Sequence, residues 1–392
     1  MNLASNASRN EFPLSRTETL TLSYALATIW HERQRFLPGI LAVAFSALLI
    51  SMQVGLLLGL FTAVSLPIDS SKADVWIGYP GTQSLDLGQP IPETWQSRLA
   101  MQPEVERTEP FMTGFVFLNK PVGGPEMCLV IGSRLEAEAI GAIAELTPEM
   151  RVCLTEPGTI VLDETALLSL GLHGVGDEAQ VGGHRVRLVG IVRGYKGLAG
   201  AFIFCSLPTA RMLLRQSNDQ ATYLLARCHR PDQAGAVVRR LRGYRNMTAF
   251  TRDEFSLRSR MHWLTMTNAG IALGSAALLG LIIGAAVTSQ TLYGATTAAL
   301  RQHAALEALG IPTWRMVAMV LSQSFWVGLA GITLALPTVL VLARAGDLFG
   351  ARVLLSSWLL AATAAVTMTM ALVSGVIALR SLRLVEPANL LR

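Results

Sequence analysis

The sequence predicts an α-helical membrane protein with four transmembrane helices and a large extracytoplasmic α+β domain inserted between the first and second helices. Three observations support this fold class. The 392-residue chain is 51% hydrophobic and 15% charged, and its mean hydropathy of +0.44 is too high for a soluble protein of this size. Four stretches without Asp, Glu, Lys or Arg each exceed the ~20 residues that cross a bilayer. A long segment with alternating strand and helix patterns separates the first of these stretches from the second.

The uncharged stretches define the predicted spans and the segments around them. The first is far longer than the ~7–15 apolar residues of a cleavable signal peptide, so we expect it to remain as an anchor. Residues 18–35 have an amphipathic pattern ending in a basic cluster, and they predict a helix along the inner membrane surface. In chain order, the sequence predicts an N-terminal tail that contains the surface helix (1–36), the first span (37–68), the external domain (69–250), and a stalk that continues into the second span (251–300). A loop (301–315), the third span (316–343), the fourth span (353–379) and a C-terminal tail (380–392) follow.

Arginine residues near the ends of the spans predict the orientation of the chain. They lie in the N-terminal tail, in the 301–315 loop and in the C-terminal tail. The arginines concerned are Arg9, Arg16, Arg33, Arg35, Arg301, Arg315, Arg380, Arg383 and Arg392. By the positive-inside rule, both termini and this loop lie in the cytoplasm, and residues 69–250 lie outside. We therefore interpret the net charge of +5 as an orientation signal and not as a nucleic-acid-binding surface.

Turn and strand patterns in the external segment predict two small α+β lobes. The strings "ADVWIGYPG" and "FMTGFVFLN" are typical of strands, and "IPETWQSRLAMQP" between them is typical of a short helix. A second lobe, at about 127–210, is predicted to be inserted between two halves of the first. Within it, Gly182-Gly183 separates two alternating runs, which indicates a β-hairpin.

The four cysteines, Cys128, Cys153, Cys205 and Cys228, all fall in the external segment. Disulfides form in such a compartment. Each cysteine also sits inside an apolar run, so packing as a free thiol is an equal alternative. Because neither C-x-x-C nor a zinc-ligand spacing occurs, the sequence predicts no metal site.

The segment before the second span predicts a helical stalk. Thr251 and Glu254 have the spacing of a capping box, which marks a helix start. Neither proline nor glycine interrupts residues 252–269, so we expect one continuous helix from Thr251 to Leu300. At ~1.5 Å per residue it would be roughly 75 Å long, over twice the thickness of the membrane core. A helix of this length would link the external domain mechanically to the membrane.

Glycine pairs at a spacing of four predict close helix packing in the first two spans. In lipid, small residues let helix backbones approach, and this approach drives association. The pairs predict packing between these helices or across a homodimer; the alternative is that glycine is simply common in membrane helices. The six residues are Gly55, Gly59, Gly270, Gly274, Gly280 and Gly284. The uncharged spans disfavour an ion-coupled transporter, whose pathway requires ionisable groups at mid-depth.

The sequence contains no recognisable catalytic motif. It has no G-x-x-x-x-G-K-[ST] loop for nucleotide phosphates, no G-x-S-x-G nucleophile motif and no H-E-x-x-H zinc motif. Its six histidines are scattered along the chain. The sequence therefore predicts a non-catalytic membrane subunit without a cofactor.

The loop "LRQHAALEALGIPTWRM", residues 300–316, resembles the cytoplasmic coupling segment of FtsX-like, MacB-like ABC transporter permeases. Leu306, Leu309 and Gly310 belong to the part that matches, whereas Gln302 and Glu307 depart from the usual charge pattern. An ordinary solvated turn is the alternative. The residues to which the resemblance assigns contact with an ATPase are Arg301, Gln302, Ala305, Leu306, Glu307, Leu309 and Gly310.

Further resemblance extends along the whole chain. The family has one span, a large external domain and then three spans. The block "TIVLDETALLSLGLHGVGDEAQVGGHRVRLVGIV" and the tail "SLRLVEPANLLR" are similar to family elements, and "ERQRFLPGILAVAFSALLISMQVGLL" looks most like the DevC-type exporter branch. The family order thus matches the order of elements predicted from hydropathy.

The resemblance implies the permease of a bacterial ABC exporter of the mechanotransmission type, in the cytoplasmic (inner) membrane with a periplasmic domain. Its implied partners are a second copy of itself, an ATPase that binds ATP and Mg²⁺, and a periplasmic membrane-fusion protein leading to an outer-membrane channel. Lipoprotein release or cell-wall-hydrolase regulation by an FtsX-like complex is one alternative. A membrane sensor is another. The sequence selects no substrate.

Overall fold

The computed structural model describes residues 33–120, 123–195, 200–298, 313–348 and 353–383. These residues form two compact units, which divide after Leu56 and after Gly274. We call residues 57–274 the external unit and the rest the membrane unit. Residues 1–32 of the predicted tail at 1–36, residues 301–312 of the predicted coupling loop at 301–315 and residues 384–392 of the predicted tail at 380–392 lie outside the described residues.

The described elements alternate between strands and helices in the external unit and are helical in the membrane unit. In chain order they are α1 (Arg33–Asp69), β1 (Val75–Gly78), β2 (Ile91–Pro92), α2 (Gln96–Ala100), β3 (Val105–Asn119), β4 (Pro125–Ser133), α3 (Pro148–Cys153), β5 (Thr159–Asp163), α4 (Glu164–Leu170), β6 (Glu178–Val181), β7 (His184–Val192), β8 (Ala201–Ser206), α5 (Leu207–Leu214), β9 (Gln220–Ala221), β10 (Tyr223–Cys228), α6 (Ala234–Leu241), β11 (Thr248–Thr251), α7 (Arg252–Met266), α8 (Asn268–Ala298), α9 (Thr313–Leu348) and α10 (Ser357–Arg383).

Four helices in the described part of the chain are long and apolar enough to cross a membrane, as the sequence predicts. The segments that meet this description are Phe36–Asp69, Asn268–Thr291, Val317–Gly346 and Ser357–Val376. The α/β domain follows the first and precedes the other three, which confirms the predicted fold class.

Small residues allow close helix packing in the membrane unit. At Gly331 of α9, an added Cβ would lie 2.6 Å from Val43 of α1, and at Gly375 of α10 it would lie 2.3 Å from the Ser324 hydroxyl of α9. Both distances are shorter than real Cβ contacts, so a larger residue at either position requires the facing side chain or the helix to shift, and glycine allows the close approach.

A nine-stranded sheet organises the described part of the external unit, in the order β11-β1-β10-β3-β4-β8-β5-β7-β6. The 127–210 block, expected as a separate lobe, lies in this same sheet. The reason is the length of β3, which spans 15 residues. Its first half pairs with β10 as far as Phe111, and its second half pairs with β4 from Met112 to Asn119. One strand therefore belongs to both halves of the domain.

Strand β3 also pairs with β6, through Leu118↔Val181 and Asn119↔Gln180. This additional ladder closes β3, β4, β8, β5, β7 and β6 into a ring. The predicted hairpin is confirmed, because Val181 pairs with His184 across a two-residue loop. Gly182 and Gly183 both have positive φ, +58° and +88°, which is the requirement of a type I′ turn.

The prediction of one continuous helix from Thr251 to Leu300 is wrong. Helix α7 ends at Met266, Thr267 has extended backbone angles (φ −101°, ψ 143°), and α8 starts at Asn268. A threonine hydroxyl can bond nearby backbone groups and thereby compete with the helix. The break therefore needs neither glycine nor proline at its centre.

All four cysteines are free thiols. Cys128, Cys205 and Cys228 are buried in the core on strands β4, β8 and β10, and Cys153 is exposed on α3. Burial raises the pKa of Cys128 to about 12 and that of Cys228 to about 11, and it raises the pKa of Cys205 further. Core packing is thus the alternative that Cys128, Cys205 and Cys228 adopt, whereas Cys153 is a free thiol at the surface.

Candidate functional site

Helix α7 forms a junction between the sheet of the external unit and the end of α1. Its start is confirmed at Thr251, whose hydroxyl accepts a hydrogen bond from the Glu254 backbone N–H at 3.3 Å. The Glu254 carboxylate binds Arg242 instead of completing the reciprocal capping box. This contact anchors the first turn of α7 to the segment that follows α6.

An ion pair ties α7 to the end of α1. The Arg260 guanidinium lies 2.6 Å from the Asp69 carboxylate and also donates to the Ser65 hydroxyl at 2.9 Å. Ser65 is fully buried and itself donates to Asp69 at 2.7 Å. The three side chains form a closed triangle, so the geometry of the ion pair is fixed from two directions.

A second set of hydrogen bonds ties α7 to the short 3₁₀ helix Leu85–Leu87. The Ser259 hydroxyl accepts from the Leu85 backbone N–H at 3.3 Å, and the Trp263 indole N–H donates to Asp86 at 3.1 Å. The Tyr223 hydroxyl of β10 lies 3.0 Å from the Leu85 carbonyl and donates to this turn. The turn is thereby held between the sheet and α7.

Aromatic packing anchors α7 in the core. Phe255 is fully buried, and its ring stacks on Phe250 with centroids 5.0 Å apart and an interplanar angle of 7°. The same ring lies 5.5 Å from both Trp76 and Tyr223. Burial, with a smaller contribution from the nearby Asp86 charge, raises the pKa of Tyr223 well above its usual value. Truncating a core phenylalanine of this kind costs about 3–5 kcal/mol.

A small apolar cavity of about 30 Å³ lies beside the Trp263 ring. It has room for about one water molecule. Its lining comes from α1, the 3₁₀ turn, the sheet and α7, and comprises Ala63, Val64, Leu85, Asp86, Phe115, Leu129, Gly200, Phe202 and Trp263.

The six glycines singled out from the sequence occupy three different settings. At Gly55, an added Cβ would lie 2.8 Å from Val353, and the Gly55 carbonyl accepts from the Leu354 N–H at 3.0 Å. Gly59 is buried within α1. At Gly284, an added Cβ would lie 3.1 Å from Ser46 of α1.

The remaining three glycines lie on α8. At Gly280, an added Cβ would lie 3.6 Å from Gln53 of α1, an ordinary van der Waals distance. Gly270 and Gly274 instead face α7: an added Cβ would lie 1.8 Å from the Trp263 carbonyl oxygen and 3.3 Å from the Leu264 side chain, respectively. Packing of α8 on α1 therefore uses Gly280 and Gly284, whereas Gly270 permits the break at Thr267.

The predicted ATPase-contact residues all lie outside the described residues; they are Arg301, Gln302, Ala305, Leu306, Glu307, Leu309 and Gly310.

The sequence did not predict a role for the junction residues Ser65, Asp69, Asp86, Arg260 and Trp263. One signal was present: Asp69 directly follows the first uncharged stretch, and Arg260 directly precedes the second. Opposite charges at the outer ends of two consecutive spans indicate a possible ion pair.

Four membrane-length helices, with an α/β domain between the first and second and a helical junction at its base, define a permease-type membrane subunit. Residues 40–244, more than half of the chain, match the family model of the MacB-like periplasmic core domain. The chain belongs to this family and is a MacB-like, FtsX-like ABC transporter permease with a periplasmic domain.

Solved structures with similarity to the chain include a periplasmic region, an extracellular domain and a domain of a permease protein. The periplasmic region of MacB from Actinobacillus actinomycetemcomitans is 12% identical, with a TM-score of 0.33, over 51% of this chain and 97% of that one. The extracellular domain of the noncanonic ABC-type transporter YknZ from Gram-positive bacteria is 9% identical, with a TM-score of 0.32, over 45% and 99%. A permease-protein domain from Porphyromonas gingivalis is 13% identical, with a TM-score of 0.30, over 52% and 97%. No curated protein sequence matches significantly, and the DevC-type assignment stays a prediction.

Proposed function

We propose that this chain is the force-transmitting permease subunit of a bacterial ABC exporter in the inner membrane, with both termini in the cytoplasm. It is non-catalytic, and a separate ATPase subunit binds ATP and Mg²⁺. Residues 301–315 receive the force of nucleotide-driven motion, and the periplasmic domain uses it to drive efflux through a membrane-fusion protein and an outer-membrane channel. The working form contains two copies of the chain.

The junction formed by α7 is the observation that supports this proposal. It is hydrogen-bonded to the end of α1 through Arg260 and to the 3₁₀ turn through Trp263, and Phe255 fixes it in the core. Residues 57–274 accordingly form one compact unit that includes the outer end of α1, all of α7 and the start of α8. A displacement of either helix end therefore moves the domain with it.

Stimulated ATP hydrolysis tests the coupling role. Leu309→Asp introduces a charge into the apolar side of the predicted contact, and Gly310→Pro restricts the backbone where the segment is expected to turn. We expect both substitutions to abolish stimulation of the ATPase in proteoliposomes while membrane insertion is retained. Leu309→Met conserves volume and apolar character and is the control, with stimulation unchanged. Undiminished stimulation by the Leu309→Asp variant would contradict the coupling role.

Affinity capture from crosslinked inner membranes tests the exporter assignment. We expect the full chain to retain an ATPase and a periplasmic membrane-fusion protein. Capture of an ATPase together with a cell-wall hydrolase, without a fusion protein, would favour regulation of that hydrolase. Capture of an ATPase with a lipoprotein carrier, without a fusion protein, would favour lipoprotein release. Absence of any ATPase would favour a sensor.

A further inference from the structure

A single residue separates the junction helix α7 from the membrane helix α8. Thr267 has φ −101° and ψ 143°, far from helical values, and α8 resumes at Asn268. Asn268 is also the first residue of the second candidate span. The break therefore lies where the membrane-spanning segment begins.

The Thr267 hydroxyl bridges the two helix ends. It donates to the Trp263 carbonyl at 2.5 Å and accepts from the Gly270 N–H at 3.0 Å. In an unbroken helix, the Trp263 carbonyl would accept from the Thr267 N–H, and the Gly270 N–H would donate to the Met266 carbonyl. One side-chain hydroxyl thus replaces a lost backbone partner on each side of the break. The straight form would also gain the bonds from the Asn268 N–H to the Leu264 carbonyl and from the Ala269 N–H to the Thr265 carbonyl. The hydroxyl thus offsets part of the hydrogen bonding lost at the bend.

Gly270 is the residue that permits the bend. An added Cβ would lie 1.8 Å from the Trp263 carbonyl oxygen and 2.7 Å from its carbonyl carbon, and both are backbone atoms that cannot rotate away. In an uninterrupted helix the same Cβ would be favourable, because alanine is a better helix former than glycine. Glycine at this position therefore keeps both forms accessible.

Trp263 connects the bend to the domain. Its carbonyl is the group that Thr267 binds, its indole N–H donates to Asp86 at 3.1 Å, and its ring lines the cavity of about 30 Å³. A change at the bend shifts the Trp263 backbone, and the free space beside the ring gives the side chain room to respond.

We propose that Thr267 and Gly270 form a two-state joint, which is bent when the Thr267 hydroxyl bridges Trp263 and Gly270 and straight when α7 and α8 join into one helix. Thr267, Gly270 and Trp263 are positioning residues that pass motion of the second span to the 3₁₀ turn at Asp86. The existence of the joint stands on the local geometry alone, and its use in the cycle rests on the proposed function.

Distances between spin labels across the joint test the proposal in the full chain. Asp253 on α7 and Ile271 on α8 are 95% and 51% exposed and belong to the same compact unit, so Asp253→Cys and Ile271→Cys accept labels in a Cys153→Ser background. Eighteen residues of straight helix span about 27 Å, and a bend shortens this distance. We expect the unsubstituted joint to give a population clearly shorter than about 27 Å, and Gly270→Ala to convert it to about 27 Å.

Graded variants separate the hydroxyl from general effects of substitution. Thr267→Val removes the bridge and should shift the bent-to-straight ratio about fivefold toward the straight form, whereas Thr267→Ser keeps the hydroxyl and should restore the ratio. Two matched controls should leave the distance unchanged. Thr265→Val removes a hydroxyl that only donates to the Met261 carbonyl, and Gly274→Ala meets only the movable end of the Leu264 side chain at 3.3 Å.

The outcomes distinguish this inference from the proposed function. A distance of about 27 Å without any substitution at the joint, or a Gly270→Ala variant that keeps the short distance, would overturn the joint. With the ATPase present, we expect ATP and vanadate to change the ratio of the bent and straight populations. If this ratio stays unchanged although Leu309→Asp abolishes stimulation of the ATPase, the role of the joint in the transport cycle would be overturned. Label distances that follow the variants as expected, combined with undiminished stimulation by Leu309→Asp, would overturn the proposed function and leave the joint standing.

Discussion

Breaking the Arg260–Asp69 ion pair should uncouple the end of α1 from α7. Its two side chains are each 36% exposed, and the charged atoms lie 2.6 Å apart. Ion pairs in such partly exposed positions contribute about 0.2–1 kcal/mol. Because the buried Ser65 hydroxyl bonds both partners, little side-chain entropy remains to be lost, and we expect a coupling energy at the upper end, about 1 kcal/mol.

A double-mutant cycle with Arg260→Gln and Asp69→Asn measures this coupling energy. The readout is the denaturation midpoint of the full chain in detergent, followed by tryptophan fluorescence, since Trp263 lies three residues after Arg260 on α7 and Trp76 is buried in the core. At 1 M salt the screening length falls to about 3 Å, so the coupling energy should fall as well.

A second cycle on Arg252 and Asp253 provides the control. These neighbours are exposed, and their charged atoms are 3.7 Å apart, so their coupling energy should be close to zero. A coupling energy for Arg260 and Asp69 that equals this control, or that does not respond to salt, would refute the claim that the ion pair ties the two helices together.

Three further predictions concern the external unit. A membrane-impermeant maleimide added outside intact spheroplasts at pH 7 should label Cys153 alone, because the other three thiols are buried with raised pKa values. Mass spectrometry should find all four cysteines labelled after denaturation. Absence of labelling at Cys153 from outside would contradict the proposed orientation. Phe255→Ala should lower the free energy of unfolding by about 3–5 kcal/mol, measured by denaturant titration, whereas Leu257→Ala on the exposed side of α7 should change it by less than about 0.5 kcal/mol. Gly183→Val forces a β-branched residue into positive φ and should destabilise the hairpin by about 1–3 kcal/mol, seen as faster hydrogen exchange of β6 and β7; exchange equal to that of the unsubstituted chain would refute the turn assignment.

Signals that are local in sequence account for what could be predicted. Uncharged stretches locate the four spans, Gly182-Gly183 locates the hairpin and Thr251 locates the start of α7. Each of these signals lies within one segment of the chain, and the backbone preference or hydrophobicity of that segment decides which structure it forms. Contacts with side chains from distant parts of the sequence do not change that structure.

Contacts between distant residues account for what could not be predicted. Asp69 and Arg260 are 191 positions apart, and no periodicity indicates that they meet. The sharing of β3 between both halves of the sheet depends on pairing with β10, which lies more than 100 residues further along. At Thr267, neither glycine nor proline marks the end of α7, because a side-chain hydroxyl that bridges two backbone groups ends the helix. The assignment of ATPase contacts to Arg301–Gly310 stays a prediction.

The length of β3 also determines how the periplasmic region can be excised for separate study. A fragment limited to residues 127–210 would omit this strand and leave β4 and β6 with bare edges, which favour aggregation. A soluble piece needs to run from before β1 through β11 and into α7, so that every strand keeps its neighbours and Phe255 stays in the core. Fragments prepared as antigens or for crystallisation should therefore begin and end at these positions.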